Sequence, residues 1–566
     1  MNKANYCPGK YSIMKAFLLM IVLFFSGLSF AQSSQCQWAR SSGTIGNGQA
    51  GRVATDRAGN EYIAGIFYDS VLIFGTDTMI NSQNGTADIY IVKYSYNGGI
   101  LWAKRIGGTQ NDDVSALATD KSGNLYVTGY YESPNLAMGL DTLRSPGNSF
   151  LVKYDPAGNE LWAVTSKGGS EPSSVVIDPA GNPCIFGNYW NAFTSFGNDT
   201  LRDVNYRGRN IFVTKYSSSG SVIWAKSADK SADGNSFSNN MVADASGNLF
   251  LSGDISAEMV FGADTLKPDI FAEHSIFLIK LDSNGSTKWV RWFGSFGYPP
   301  NQYTTIDATG NVFLVGNFTI YPITFGTDTL LARQYDIFIV KYNTAGGLVW
   351  AKTAGSGNTA EAMVYGTCTD PAGNLYVTGY FSKPLLTIGA DTLYNPDTAQ
   401  VISLLKFDNN GNSLWAKGAG QHGYNVGSSV ASDALGNIFI TGNFSDSNIH
   451  FDTVSFSPGT THSYGVYLAK YGYTNESVVN NSLEMGNLVL YPNPVYGNNE
   501  LTATFQPGQY DRISIFNSTG QCVAHTEIGN NETKVELKLQ SMPDGIYYLK
   551  AKGQGNVMAQ AFIIRR

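Results

Sequence analysis

Charge is scarce in this sequence. Lys and Arg total 37 against 44 Asp and Glu, a formal net charge of −7 over 566 residues, so no positive surplus is available to grip nucleic acid or an anionic membrane. Five Cys and five His leave little material for a disulfide framework or a metal cage. His274, His422, His450, His462 and His525 show no zinc-site spacing, and Cys36, Cys184, Cys368 and Cys522 fall in separate segments. The G-x-S-x-G, H-E-x-x-H and P-loop patterns are missing, so no metal, cofactor or standard catalytic constellation is expected. Beyond the first 30 residues no apolar run approaches the roughly 20 needed to span a bilayer, so no transmembrane segment is expected in the mature chain.

What the sequence does have is aromatic residues (13%) and 62 Gly, which with low charge argues against disorder. Tyr, Phe, Gly and Asn outweigh the helix formers, a composition of strands and turns; the fold class read from it is all-β. The length allows three or four domains, or one repeat array with additions. At the N-terminus, Met14-Lys15 precedes an apolar run from Phe17 to Phe25 and then small residues up to Ala31. This reads as a secretory signal over 1–31, with Met14 expected as the true start.

A repeat organises the next 400-odd positions. The motif D-x-x-G-N begins at Asp56, Asp120, Asp178, Asp244, Asp307, Asp370 and Asp433, a period of about 63 residues, and a Gly follows nine positions after each Asp. A Lys (93, 153, 215, 280, 341, 406, 470) and a Trp (38, 102, 162, 224, 289, 350, 415) keep the same period. Each unit reads as four strands, A to D, with tight A–B and C–D turns. Trp38 has no strand C before it, and Lys470 has no strand-D Trp after it. The spacing therefore predicts a seven-bladed β-propeller over 32–472, in which the N-terminal strand completes the last blade. The elements D-x-x-G-N-[LIV]-[YF]-[VIL]-x-G and K-Y-[DSN]-x-x-G-x-x-x-W-A-[KR] resemble the propeller repeats of secreted bacterial proteins, a likeness specific for fold and nearly silent on function.

The polar stretch 473–487 reads as a linker. Beyond it, 488–566 predicts a small β-sandwich with strands at Glu500–Phe505, Arg512–Phe516, Lys534–Leu539, Gly545–Lys550 and Ala559–Ile564. Its Tyr491-Pro492-Asn493-Pro494, Ile515-Phe516-Asn517-Ser518-Thr519-Gly520-Gln521, Gly545-Ile546-Tyr547-Tyr548-Leu549-Lys550 and basic Arg565-Arg566 end resemble the C-terminal sorting domain of the type IX secretion system. That resemblance implies contact with the secretion machinery and an extracellular or outer-membrane-surface location, with cargo released or anchored.

Three repeated features invite a functional reading. The hairpin Trp resembles that of quinoprotein propellers and of sialidase Asp-boxes, but its spacing differs from both, and inter-blade packing is expected instead. A column of acids in the B–C connections, Asp77, Asp141, Asp199, Asp264, Asp328, Asp391 and Asp452, could ring a cation, but a turn in which Asp bonds its own backbone is expected. The Lys column is expected to meet the A–B turn Asp, a small contribution if exposed. The variable D–A and B–C connections crowd one face, and function lives on variable loops held by a rigid scaffold. Ligand contacts are therefore expected from Trp292, Tyr298, Asn301, Gln302 and Tyr303 in one D–A loop, and from Gln421, His422, Tyr424 and Asn425 in another. Aromatics beside amides suit sugar or peptide. The resulting expectation is a non-catalytic binding or scaffolding module for a glycan or protein ligand. A secreted hydrolase or lyase on the loop-rich face, and a purely structural adhesin, are the alternatives.

Overall fold

A computed structural model of the chain describes all residues except 1–33, 43–47, 145–146, 204–207, 231–233, 269–273, 296–301, 320, 332–334, 356–360, 383, 396–398, 446–447, 457–463, 474–487, 492–494, 497–499, 506, 509, 518–521, 530, 540–541, 554–556 and 566. The signal segment, nearly all of the linker, His462, Tyr298 and Asn301 lie outside the described residues. Every regular element among those described is a strand. Contacts divide the chain into two compact units, the division falling between Thr474 and Asn475.

In the first unit the described residues form seven four-stranded antiparallel sheets, numbered here in chain order. Sheet 1 holds strands A to D as Gly48–Thr55, Glu61–Phe67, Asp88–Tyr94 and Ile100–Ile106. In sheet 7, Val426–Ser432, Ile438–Phe444 and Gly465–Tyr473 take their fourth strand from the N-terminus, Ser34–Ser41, with Trp38 opposite Lys470. The other A strands are Asp112–Thr119, Ser170–Ile177, Ser236–Ala243, Gln302–Ile306 and Ala362–Thr369. Each A strand lies against those of its neighbours in chain order, and that of sheet 7 lies against that of sheet 1.

Strands B and C are buried along nearly their whole length, completely so in Glu61–Phe67 and Asp88–Tyr94, because neighbouring sheets cover both faces. They consequently read as continuous apolar runs rather than alternating ones. The core is divided among the inter-sheet spaces. Ile89 and Ile91 of sheet 1 pack with Val127 and Val152 of sheet 2, and Phe439 and Leu468 of sheet 7 pack with Ile63 and Val92 of sheet 1.

The sequence markers acquire physical causes here. Asp56 Oδ1 accepts from the backbone N–H of Ala58 and Asn60, and its Oδ2 accepts from Asn60 Nδ2, all at 2.9 Å. Gly59 supplies the left-handed residue of that turn, at φ +77°. Tyr62, Lys93 and Trp102 stand side by side across strands B, C and D. Lys93 Nζ sits 4.8 Å from the Tyr62 ring centroid and 3.6 Å from Asp56 Oδ2. It also donates to Pro156 O in the C–D turn of sheet 2, at 2.9 Å, and Trp102 Nε1 donates to the same oxygen at 3.2 Å. The Trp ring then packs on that turn's glycine, where a Cβ on Gly158 would come within 2.9 Å of Trp102. Although Trp224 Nε1 finds no acceptor among the described residues, members of the Trp and Lys columns thus reach from one sheet to the next, as Lys153 and Trp162 do to Ser218 O and Lys280 and Trp289 do to Thr344 O. Lys470 Nζ and Trp38 Nε1 do the same from sheet 7 to Tyr96 O of sheet 1, at 3.0 and 3.3 Å. The expected pairing of the Lys column with the turn Asp is present, and the pair is buried, with side chains 4% accessible at both Lys93 and Asp56.

The acid column is corrected at Asp391 and Asp452. The B–C connections fold into small hairpins, and Asp77, Asp199, Asp264, Asp328 and Asp391 open the return strand. Phe74 pairs with Asp77 across a two-residue turn led by Gly75, at φ +59°. Asp391 accepts from Ala416 N in strand D at 2.9 Å, not from its own turn. Asp452 occupies the glycine position itself, at φ +52°, and its carboxylate takes Lys417 Nζ at 2.7 and 2.8 Å and Cys36 N at 2.8 Å. No group of His, Cys, Asp and Glu able to hold a metal occurs among the described residues.

The second unit contains a three-stranded sheet (Val489–Tyr491, Glu500–Thr504, Lys534–Lys538) and a five-stranded one (Val495–Tyr496, Val557–Arg565, Gly545–Lys552, Arg512–Asn517, Cys522–Glu527). Leu490, Leu501, Ile513, Leu549 and Phe562 share one core between them.

Candidate functional site

In six A strands one residue too many faces strand B. Gly51, Ser115, Ser173, Asn239, Tyr365 and Ser428 are the unpaired residues of these bulges. A bulge re-aims neighbouring side chains and brings backbone close to the partner strand. That approach explains the glycine nine residues after the turn Asp in these six sheets. A Cβ on Gly129 would lie 1.9 Å from Asp113 O, and one on Gly65 would lie 1.9 Å from Gln49 O. Among its described residues the A strand of sheet 5 has no bulge; Gln302 pairs with Gly316 and Tyr303 with Val315 in unbroken register.

The bulges and the residues beside them line a cavity of about 320 Å³, bounded by A-strand residues of sheets 1 to 5. Its walls carry Arg52, Asp113, Glu171, Asn239, Gln302 and Tyr303. Hydroxyl groups of Ser115, Ser173 and Ser238 complete the polar lining, with Val114 and Pro172 as its apolar members. Arg52 Nε donates to Ser115 O at 2.8 Å. Arg209 lies 3.5 Å from Glu171 and stacks over Trp190, 5.5 Å from its centroid. Asp113 is reached by solvent yet surrounded by protein. That surrounding raises its pKa above the ordinary carboxylate value, Glu171 adds to the rise, and the Val114 N–H and Arg52 oppose it. Burial likewise raises Tyr303.

A hydrogen-bonded chain fixes the far wall. His274 Nδ1 and Asp254 Oδ2 are 3.1 Å apart, Asp254 is bonded to Asn239, and Asn239 Nδ2 donates to Gln302 Oε1 at 2.6 Å. Gln302 is fully buried, and its Nε2 has no acceptor. Gln302 thus lines the cavity with Oε1 held by Asn239 and Nε2 left without an acceptor among the described residues.

The residues expected to form a site are dispersed. Tyr303 lines the cavity, from strand A rather than from a loop. Trp292 lies on strand D of sheet 4, 44% exposed and opposite Phe277, on the strand farthest from A in its sheet. Asn425 is fully buried and donates to Gln400 O at 3.1 Å and to His422 O at 2.9 Å, while its Oδ1 has no donor among the described residues. His422 is exposed. Tyr424 packs edge-on against Tyr464 at 5.4 Å, within electrostatic reach of Tyr365 and Tyr380.

Sequence reasoning missed Arg52, Asp113, Glu171 and Asn239. A signal was present five positions before each turn Asp, where the repeats read Gly51, Ser115, Ser173, Asn239, Gln302, Tyr365 and Ser428. This column is predominantly polar inside an otherwise apolar strand.

A larger concavity of about 740 Å³ lies among the A–B turns, but its acids Asp120, Asp178 and Asp244 are engaged in holding those turns. The cysteines supply no nucleophile there or elsewhere in the described first unit, since burial pushes the Cys36 and Cys184 thiols up to about 12 and raises Cys368.

Residues 489–565 match the family model of a secretion system C-terminal sorting domain, and residues 101–130 match that of a beta-propeller repeat. Among curated proteins, an uncharacterized WD repeat-containing protein of Acanthamoeba polyphaga mimivirus is 25% identical over 78% of this chain and 39% of its own length. The regulatory protein FlaEY of Caulobacter vibrioides is 25% identical over 33% of this chain and 17% of its own. The chain thus spans well under half the length of these relatives. Among solved structures, a protein of unknown function from Dyadobacter fermentans is similar at TM-score 0.37 and 9% identity, covering 78% of this chain and 99% of that one. An α-L-arabinofuranosidase of Fusarium graminearum is similar at TM-score 0.36 and 10% identity, covering 64% and 94%. Likenesses this shallow carry no argument about activity.

Proposed function

The chain is a β-propeller repeat protein with a type IX secretion-system C-terminal sorting domain, and from that premise we propose that it is an exported, non-catalytic binding module. The sorting domain indicates export to the cell surface or extracellular space. In this reading the seven sheets are the blades of one closed propeller over 32–472, closed by the N-terminal strand. A cleaved signal occupies 1–31, a linker 473–487 and a small sandwich 488–566.

One observation carries the binding role. Turns and inter-sheet fastenings repeat with little change, whereas the A-strand cavity is built from different residues in every sheet. Arg52, Asp113, Glu171 and Tyr303 have no counterparts of their own kind at the equivalent positions of most repeats. A scaffold needs no such singularity; a ligand does.

The test is a glycan and peptide array probed with the mature protein, then with Tyr303→Ala and Arg52→Ala. Binding is expected to weaken about tenfold or more with unfolding unchanged. Ligand binding indifferent to both substitutions would refute the site.

Hydrolysis is the second reading, favoured by Asp113 and Glu171 sharing one wall with the Asp113 carboxyl raised, since glycoside hydrolysis employs a carboxylate pair. Product release from polysaccharides that Asp113→Asn abolishes would establish it over simple binding.

A further inference from the structure

We propose that the A-strand cavity receives the end of a neutral saccharide chain. The inference rests on the binding role given above and names the class of ligand. Charge is the first ground. Arg52 faces Asp113, and Arg209 stands 3.5 Å from Glu171, so the two acids are balanced by two guanidinium groups and no net field selects an anion or a cation. A basic or acidic peptide gains nothing there.

Lining chemistry is the second ground. Val114 and Pro172 are the apolar members of the wall, too few to seat the large hydrophobic anchors on which peptide and protein partners depend. Planar polar groups dominate instead: a guanidinium, two carboxylates and two amides, with one tyrosine ring. Sugar hydroxyls both donate and accept, and a wall offering acceptors at Asp113 and Glu171 opposite donors at Arg52 and Gln302 can use each hydroxyl twice.

Gln302 supplies the third and most specific ground. Its side chain is fully buried, its Oε1 is held by Asn239 at 2.6 Å, and its Nε2 donates to nothing. A buried unpaired amide is costly to leave unpaired, and a ligand can supply the acceptor. A hydroxyl or ring oxygen does so without bringing charge. The cavity volume of about 320 Å³ lies at the small end of ligand pockets, which suits one or two sugar rings and hence a chain terminus.

The experiment is isothermal titration of the mature full chain with cellohexaose, xylohexaose, mannohexaose and arabinohexaose. Hexagalacturonate and a random-peptide array are run beside them. At least one neutral oligosaccharide is expected to bind, with its free monosaccharide competing. Gln302→Glu, nearly isosteric, reverses a donor to an acceptor, and Tyr303→Ala removes the ring; each should weaken that binding about tenfold or more. Unchanged thermal unfolding of either variant separates site loss from misfolding. Absence of binding by every neutral probe overturns the proposal. So does a ligand confined to the uronate or to peptides; if Tyr303→Ala abolishes that binding, the cavity still stands as a site while the saccharide assignment falls. Binding untouched by both substitutions sinks both.

Discussion

Replacing Lys215 by Met tests whether the buried Lys column holds the sheets together. Lys215 Nζ lies 2.8 Å from Asp178 Oδ2 and donates to Ser283 O of the next sheet at 3.0 Å, with side-chain accessibilities of 8% and 5% for the pair. Met keeps the stem volume and removes the charge. Asp178 keeps its bonds from Ala180 N, Asn182 N and Asn182 Nδ2 but loses its cation. An uncompensated buried charge costs about 3–5 kcal/mol. For a unit of this size each kcal/mol lowers Tm by about 1 °C, so a fall of about 3–5 °C is expected. Lys288→Met is the control, because its 2.9 Å pair with Asp282 leaves the Lys 52% exposed and should be worth at most about 1 kcal/mol. Tryptophan fluorescence is the assay. All nine Trp residues precede Asn475, so the signal reports the first unit within the intact chain. If Lys215→Met and Lys288→Met cost the same, the column does not fasten the sheets.

Gly129→Val places a side chain where even a Cβ would lie 1.9 Å from Asp113 O; a loss above about 3 kcal/mol or insoluble expression is expected, checked by urea unfolding. Deleting 34–42 removes the fourth strand of sheet 7 and bares the strand Gly465–Tyr473; light scattering should show association, and a monomer with unchanged melting would count against closure. Asp336 is held up to about 6 by burial, so its folded form favours the proton; that stability is present below about pH 4 and lost as pH rises through 6. Asp336→Asn should therefore stabilise by about 1–3 kcal/mol at pH 8 and leave pH 4 unchanged, read by thermal melts at both values. Removing 488–566 should abolish surface and medium yield while the first unit still folds, scored by fractionation and fluorescence.

The repeat was legible because its markers serve local or nearest-neighbour geometry. The Asp and Asn of D-x-x-G-N close one turn, the Gly at +9 faces a bulge in six sheets, and Lys and Trp reach a carbonyl in the next sheet's C–D turn, as Lys93 and Trp102 do. Identical tasks recurring every sheet leave identical residues at a fixed period. For the same reason the displaced Trp38 pointed to the N-terminal strand, and the structure pairs it with Lys470. In the second unit most strands were legible from their apolar alternation. Cys522–Glu527, an edge strand without a buried residue, was not.

Tertiary structure alone decided the rest. Burial of the Lys–Asp pairs depends on the neighbouring sheet, which no single unit contains. The B–C acids belong to hairpins whose partners, such as Ala416 and Lys417, lie about 25–35 residues away. The cavity gathers Arg52 from sheet 1, Asp113 from sheet 2, Glu171 from sheet 3, Asn239 from sheet 4 and Tyr303 from sheet 5. Asp113 and Glu171 stand seven residues before a turn Asp, and Arg52 and Tyr303 four before one, but their residue types form no motif; what unites them is that A strands of successive sheets lie side by side, which brings together residues that sequence distance keeps apart.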